Sequence, residues 1–416
     1  MHRNKADKNM KVLIVSHGHP DFSKGGAEMA AYNLFREYIR RDIDAVFLAR
    51  SGDLSHGGSV FSMRNTDKEI LFHTSMHDWF NFRNATPRHI YRDFASFLSR
   101  FQPDVVHFHH YAHMGLEMIR VVKNTLPKTK IIFTLHEYQA ICFNNGQMVK
   151  KGSFKLCTKY SPVDCAKCFP DKSPSDFFLR EKYLKSLFGL VDHFISPSHF
   201  LIDRYVQWGL PKEKMTMLEN GQIVDDKRAT LTKKENDTIQ FGYFGQINPF
   251  KGVDVLLEAF KKLPKEVAEK VHLNIHGANL EQQDSQFIEK IECYFDELEN
   301  VTYHGPYNHD EQGVLMESID WVVVPSIWWE NSPMVIQEAF CYGKPVICSN
   351  IGGMKEKVKD EVTGFHFRFG NSLSLRDVIC RIVELNNDSQ ISNNIATPLS
   401  VIEASDETFK IYRYIR

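Results

Sequence analysis

Val324-Pro-Ser-Ile-Trp-Trp-Glu330-Asn-Ser-Pro-Met-Val-Ile-Gln-Glu338-Ala339 is the stretch from which the rest of the chain can be read. The apolar run Trp321–Pro325 has the length and composition of a buried strand. Glu330 follows in a loop. Pro333, with Ser332 as a candidate N-cap, opens a helix over Pro333–Tyr342 that places Glu338 more than one turn inside it. A strand, loop and helix in this order set the free N–H groups of a helix start between two carboxylates. That suits an extended ligand with an anion in the middle and hydroxyl groups at either end. Two unrelated surface glutamates would be spelled the same way, so the weight of the pattern depends on its surroundings.

Those surroundings are a repeating alternation of short apolar runs and amphipathic segments. In the second half, strands are expected at Ile239–Phe244, Val271–His276, Val301–His304, Trp321–Pro325 and Val346–Ser349, with helices at Val253–Lys262 and Phe287–Phe295. In the first half, strands are expected at Val12–Ser16, Ala45–Ala49, Val105–His109, Ile131–Leu135 and His193–Ser196. Helices fit Ala27–Arg41 (with Met29, Leu34, Tyr38 and Ile39 sharing an apolar side), Thr86–Arg100, Met114–Asn124 and Phe177–Phe188. Short apolar strands separated by helices imply parallel, doubly wound sheets. The polar stretch 225–237 (DDKRATLTKKEND) reads as the link between two such units, and 416 residues are too many for one ordinary core. The expected fold class is therefore α/β, with two doubly wound Rossmann-like domains facing a central cleft. The domains are 1–215, 216–400 and a last helix in 401–416 that packs back on the first. Ligands of such sheets bind at the carboxyl ends of the strands.

Two strand–loop–helix junctions carry glycines and a charge. Gly25 and Gly26 (DFSKGGAE) allow backbone N–H groups to approach a phosphate at a helix start, although an ordinary turn accounts for them equally well. The pattern is not GxGxxG, which argues against a dinucleotide. The second junction, Gly242-Tyr-Phe-Gly245-Gln246-Ile-Asn-Pro-Phe-Lys251-Gly252, offers Lys251 for charge-assisted bonds to a diphosphate.

Taken together, these motifs make the chain resemble the large family of retaining GT-B glycosyltransferases known as family 4, or group 1. The resemblance runs over nearly the whole length: GGAE (Gly25–Glu28), TLHEY (Thr134–Tyr138), SPS (Ser196–Ser198), ENG (Glu219–Gly221) and FGQINPFKG (Phe244–Gly252). It continues with HGPY (His304–Tyr307), SIDWVVVPS (Ser318–Ser326), ENSPMVIQEAF (Glu330–Phe340), GKPVICSNIGG (Gly343–Gly353) and EVTGFHF (Glu361–Phe367). The resemblance implies that Glu330 binds donor sugar hydroxyls and that Glu338 binds the ribose. Backbone amides of Asn331, Ser332, Pro333, Met334 and Val335 would line the donor sugar and diphosphate. Lys251 would neutralise the diphosphate leaving group above Gly25-Gly26, and His136 would lie near the reacting sugar. The family usually has arginine where this chain has Gln246, which leaves more of the phosphate charge to Lys251. The implied donor is a UDP- or GDP-sugar carrying a hexose or N-acetylhexosamine, used without a catalytic metal and with retention of configuration. The implied acceptor is a saccharide, free or linked to a lipid diphosphate, in the assembly of a surface polysaccharide. A non-catalytic nucleotide-sugar binder and a sugar-nucleotide epimerase are the alternatives.

Cys142, Cys157, Cys165 and Cys168 follow His136 closely, spaced C-x14-C-x7-C-x2-C. Four reduced thiols closing on CxxC suit a tetrahedral structural zinc, with free thiols or a redox arrangement as alternatives. A subset of the family resembled carries a similar insertion, here 142–170. His107, His109, His110 and His113 invite a metal reading, but no carboxylate pair accompanies them. The net charge of −1 hides a basic first half: residues 1–200 carry 28 Lys and Arg against 19 Asp and Glu, and the remainder carries 23 against 33. That asymmetry suits an anionic acceptor or a peripheral lipid contact through residues such as Arg36, Arg40 and Arg41. No apolar run reaches membrane-spanning length and the first ten residues are polar, so the expected place is the cytoplasm, at the inner face of its membrane. No compact Arg-rich or stacking motif points to nucleic acid.

Overall fold

The computed structural model describes residues 10–23, 25–52, 59–84, 87–223, 238–385 and 389–415. The segment 225–237, expected as the interdomain link, lies outside them. The chain divides into two compact units, one of Met1–Gly221 with Leu399–Arg416 and one of Gln222–Pro398. The division falls a few residues after the expected 215/216 boundary, because the strand Met215–Met217 pairs in parallel with His193–Ser196 and so belongs to the first sheet.

The first unit is built on an eight-stranded sheet. Its spatial order is Met215–Met217, His193–Ser196, Lys130–Thr134, Val105–Phe108, Lys11–Ser16, Asp44–Ser51, Glu69–His73 and Phe61–Met63. Every pairing is parallel except the last. The second unit has six parallel strands in the order Val301–Gly305, Val271–Ala278, Ile239–Gln246, Trp321–Val324, Val346–Ser349 and Gly364–Phe367. Numbered along the chain this is 3-2-1-4-5-6, the doubly wound order, in which the loops after the first and fourth strands diverge and leave a crevice. The first sheet contains the same order, with Lys11–Ser16 and Val105–Phe108 as its first and fourth parallel strands.

The central strands are apolar throughout because helices cover both faces: Val12 to Val15 and Val322 are fully buried, and Val323 nearly so. The helix Gly26–Arg40 buries Ala31, Leu34, Phe35 and Tyr38, while Ile39, expected on the same side, is 39% exposed. The helix expected from Met114 begins at Met118. Residues 112–114 form a turn instead, with His113 at a φ of 65°. The helix Val401–Tyr414 packs on Gly26–Arg40 within the first unit. Phe409 meets Tyr38 with ring centres 4.8 Å apart, and Tyr412 donates into or accepts from His107 Nδ1 at 2.7 Å. Arg41 bonds Asp406 at 2.5 Å and the Ile402 carbonyl at 2.9 Å, and both Arg40 and Arg41 bond Glu37. Two of the three arginines considered for a lipid surface are thus engaged within the fold. Among the described residues no helix is long and apolar enough to cross a membrane.

Candidate active site

In the second unit the loops after Ile239–Gln246 and Trp321–Val324 leave adjacent strands at the switch point, and they carry Lys251 and Glu330. The two loops are tied by Ile327 N–H donating to the Phe250 carbonyl at 2.9 Å. Gly252, at a φ of 70°, passes so close to Pro325 that a Cβ would lie 2.1 Å from its carbonyl oxygen. Lys251 Nζ donates to Glu330 Oε1 at 2.6 Å, joined by Ser326 Oγ and Trp328 Nε1, each at 2.9 Å. All three donors converge on one oxygen, and Oε2 accepts nothing from the described residues. Burial raises the Glu330 pKa, but the Lys251 charge and these hydrogen bonds outweigh it and hold the carboxylate below its ordinary range. Glu330 and Lys251, predicted from the sequence to meet different parts of a ligand, here meet each other.

Behind Glu330 stand Gly352 and Gly353. The Gly353 N–H donates to the Glu330 carbonyl at 2.8 Å, and a Cβ on Gly353 would lie 1.5 Å from the Asn331 carbonyl oxygen. The loop therefore rests directly on this backbone. The helix beyond it begins at Met334, with Pro333 at the N-cap and no side-chain cap. Ser332, expected to cap, does not; its hydroxyl is buried and without a partner. Pro333 has no N–H, so its expected backbone donor does not exist. The uncapped first-turn amides are those of Met334 and Val335. Glu338, on the fifth residue of the helix, accepts Gln312 Nε2 at 2.6 Å, and burial pushes its pKa up to about 7. Tyr307 of HGPY feels the same carboxylate. Gln246 ends its strand exposed, its carbonyl accepting the Tyr243 hydroxyl at 2.6 Å.

In the first unit the corresponding loops carry histidines. His136 shares a 3.1 Å hydrogen bond with His109 Nδ1, and His109 packs on His107 with ring centres 4.3 Å apart. His17 packs on His110 at 4.0 Å. Burial first lowers all of these groups. Neighbouring imidazoles add to it at His107, His109, His110 and His136, with His107 and His136 falling to about 3. At His17 the Glu28 carboxylate partly offsets burial and the Arg50 charge adds to it. The cluster is therefore uncharged at neutral pH. Gly25 is the N-cap of Gly26–Arg40, and the Glu28 carboxylate folds over it, where a Cβ would meet Oε2 at 2.4 Å. Ser23 Oγ at 2.5 Å and His17 Nε2 at 3.3 Å hold Glu28 there. A phosphate approaching this helix start would first have to displace a carboxylate.

Arg180, which sequence reasoning did not single out, supports the loop after His136. It is 1% exposed and donates to the carbonyls of Phe80 (2.6 Å), Ala140 (2.6 Å) and Gln139 (2.7 Å). The sequence held a signal for it, since Phe177, Arg180, Leu184 and Leu187 recur at helical spacing along one buried side. The four cysteines of 142–168 are free thiols. Burial raises Cys142 and Cys165 to about 11, and Cys157 lies within electrostatic reach of both. Among the described residues, however, no three His, Cys, Asp or Glu side chains stand close enough together to hold a metal ion. Zinc would require the thiols to draw inwards from these positions.

Two parallel doubly wound units, one presenting a lysine–glutamate pair and an uncapped helix start at its switch point, define the class of the GT-B glycosyltransferases. Comparison with known proteins agrees. Residues 24–226 match the family described as Glycosyltransferase Family 4, and residues 224–397 match Glycosyl transferases group 1. The chain belongs to the group 1 and family 4 type of glycosyltransferases. It is 25% identical over 239 residues to an uncharacterized 41.2 kDa protein in the cps region of Klebsiella pneumoniae, covering 55% of this chain and 63% of that one. It is 30% identical over 184 residues to the lipopolysaccharide 1,2-N-acetylglucosaminetransferase of Salmonella typhimurium, covering 41% of this chain and 48% of the relative. The chain thus spans about half to two thirds of the length of these two relatives. Among solved structures, HepE of Anabaena in complex with UDP superposes with a TM-score of 0.69 at 16% identity, covering 97% of this chain and 100% of that one.

Proposed function

We propose that the protein transfers a hexose or N-acetylhexosamine, with retention of configuration, from a nucleotide diphosphate sugar to a saccharide or lipid-diphosphate-linked acceptor. The setting is the assembly of a surface polysaccharide at the inner face of the cytoplasmic membrane. The observation that carries this reading is the Lys251–Glu330 pair beside the uncapped Met334–Cys341 helix, with the orphan Ser332 hydroxyl between them. A buried hydroxyl without a partner and first-turn amides without a cap are groups that a phosphate satisfies. A diphosphate arriving there would draw Lys251 from Glu330 and free the carboxylate for sugar hydroxyls, its Oε2 being already unengaged. As the sugar–phosphate bond breaks, negative charge grows on the departing diphosphate, and Lys251 and the helix start, already placed by donor binding, stabilise it without further reorganisation. Glu338 takes the ribose hydroxyls one turn further on. His136 belongs to the first unit, where burial keeps its imidazole uncharged, a form that suits a sugar hydroxyl rather than a phosphate. UDP is the nucleotide favoured by the HepE complex, and GDP is the second arm of the test.

The test is a thermal-shift screen of UDP- and GDP-sugars followed by an assay of nucleoside diphosphate release. Glu330→Ala should lower kcat by about a hundredfold or more, whereas Glu338→Ala should mainly raise the donor KM. Unchanged turnover in Glu330→Ala would refute the assignment. Unchanged donor affinity in Glu338→Ala would refute the ribose role alone.

A further inference from the structure

Two buried histidines of the first unit are bonded differently. His107 is satisfied at both ring nitrogens: Nδ1 lies 2.7 Å from the Tyr412 hydroxyl and Nε2 lies 2.7 Å from the Thr134 hydroxyl. His109 has one such bond, from Nδ1 to His136 Nε2 at 3.1 Å, and these two rings stack at 23° with centres 5.4 Å apart. Its other nitrogen, Nε2, is buried and meets no hydrogen-bond partner among the described residues. A buried polar atom of this kind is unfavourable unless water satisfies it.

His109 lines a cavity of about 40 Å³ within the first unit, together with Asn33, Thr134, Glu219 and Asn220. That is room for ordered water and far too little for a sugar. The amides and the hydroxyl of this lining can donate or accept, whereas the Glu219 carboxylate only accepts. The cavity therefore favours taking a hydrogen bond from His109 Nε2 over giving one. Burial, with the neighbouring His107 and His136 adding to it, keeps His109 well below its ordinary pKa, so the ring carries a single proton. With that proton on Nε2, His109 accepts at Nδ1 and His136 donates from Nε2. The Nδ1 of His136 is then bare, and it is an acceptor.

We propose that His109 is a positioning residue: with its Nε2 bonded to water in this cavity, it holds His136 in the tautomer protonated at Nε2 and fixes Nδ1 as the acceptor for a sugar hydroxyl. The sugar hydroxyl rests on the transferase reading. The tautomer rests on the bond to His136, the buried Nε2 and the lining of the cavity. The opposite tautomer would present an N–H at Nδ1, which cannot accept the proton of a hydroxyl group.

Long-range proton–nitrogen NMR of the full chain with isotope-labelled histidine tests this, His136 being assigned by its loss in His136→Gln. The wild type should show His136 protonated at Nε2, with a coupling across the hydrogen bond to His109 Nδ1. His109→Phe keeps a ring but removes the acceptor, and the His136 signal should collapse into a mixture of tautomers. With the nucleotide sugar selected by the thermal-shift screen, kcat of that variant should fall by about tenfold, the worth of one hydrogen bond, while the donor KM stays within about twofold. His109→Asn sets an amide oxygen near the place of Nδ1 and should restore both the tautomer and kcat. A wild-type His136 protonated at Nδ1 overturns the proposal, as does an unchanged His136 signal in His109→Phe. If His109→Phe does not fold, the wild-type coupling and the His109→Asn spectrum decide, and absence of the coupling or protonation at Nδ1 in either overturns it. Unchanged kcat beside a collapsed tautomer overturns the role of Nδ1 towards the sugar. The tautomer is read without substrate, so a chain that shows it and turns over no nucleotide sugar refutes the transferase reading and leaves the hold on His136 standing.

Discussion

The two switch points of this molecule share a strand order and differ in almost everything else. In the second unit the loops after the first and fourth strands bring a lysine and a glutamate to 2.6 Å, with Ser326 and Trp328 completing the shell of that carboxylate. In the first unit the strand ends at the switch point bring together imidazoles that burial keeps uncharged: His107, within the fourth strand, and His136, after the fifth, near 3, and His113, after the fourth, near 4. Topology thus determines where chemistry occurs, and loop residues determine which chemistry it is. A fixed positive charge beside a helix start suits a diphosphate; neutral imidazoles suit hydroxyl groups.

The contrast extends to how the loops are held, and the largest effects should follow from disturbing those supports. On the first side the segment after His136 hangs on the Arg180 guanidinium, which is buried among Phe80, Phe82 and Phe143 and satisfied by three carbonyls. Arg180→Ala strands those carbonyls and opens a cavity, and a loss of about 3–5 kcal/mol is expected in denaturant unfolding. A loss below about 1 kcal/mol would mean that the loop is held by other contacts. On the second side the support is backbone rather than charge. Gly353→Ala should cost about 1–3 kcal/mol and displace the Glu330 loop, because the added methyl group would overlap the Asn331 carbonyl. Donor titration should show weakened binding even where the protein remains folded. Normal donor affinity in a folded Gly353→Ala protein would break the link between this contact and the site.

These supports mark the limit of what the sequence discloses. Val12 to Val15, Ile131 to Phe133 and Val322 to Val324 are continuous apolar runs, legible as strands buried on both faces. Phe61–Met63 is three residues at the sheet edge, and Glu69–His73 has only the apolar triplet Ile70–Phe72 between two polar ends, so neither stands out from its surroundings as a strand. Gly364–Phe367 lies inside the EVTGFHF motif, yet four residues that open on a glycine and include a histidine are too few to read as a strand. Lys251, Glu330 and Glu338 stand in motifs whose residue types match their chemistry. Gln312, which bonds Glu338, is 26 residues away and one amide among many. Ser332 reads as an N-cap by type, but Pro333 takes that position and leaves the hydroxyl buried. The thiols of 142–168 are another case: ligand-like spacing along the chain brings them within electrostatic reach of one another, though among the described residues not three close enough to hold a metal ion.

The smallest expected effect separates the two carboxylates of the second unit by the sign of their pH dependence. Burial dominates at Glu338, against which Gln312 offers one neutral donor, and its pKa rises to about 7. Between its ordinary value near 4.5 and about 7 the folded protein retains a proton that the unfolded chain has released. Stability contributed by that proton is present below the ordinary value and is lost as pH rises through 7. Glu338→Gln has no such proton to lose, so its melting temperature relative to wild type should improve from pH 5 to pH 8, by on the order of 1–3 kcal/mol in equivalent stability. Glu330 runs the other way. Its lowered pKa means that stability is present above the ordinary carboxylate value and is lost as pH falls through the folded one, so Glu330→Gln should lose most, relative to wild type, at neutral pH. If Glu330→Gln changed relative to wild type between pH 5 and pH 8 as Glu338→Gln does, rather than only as pH falls below the ordinary carboxylate value, the carboxylates would share one environment, and their division into a charged partner of Lys251 and a buried acid beside Gln312 would not stand.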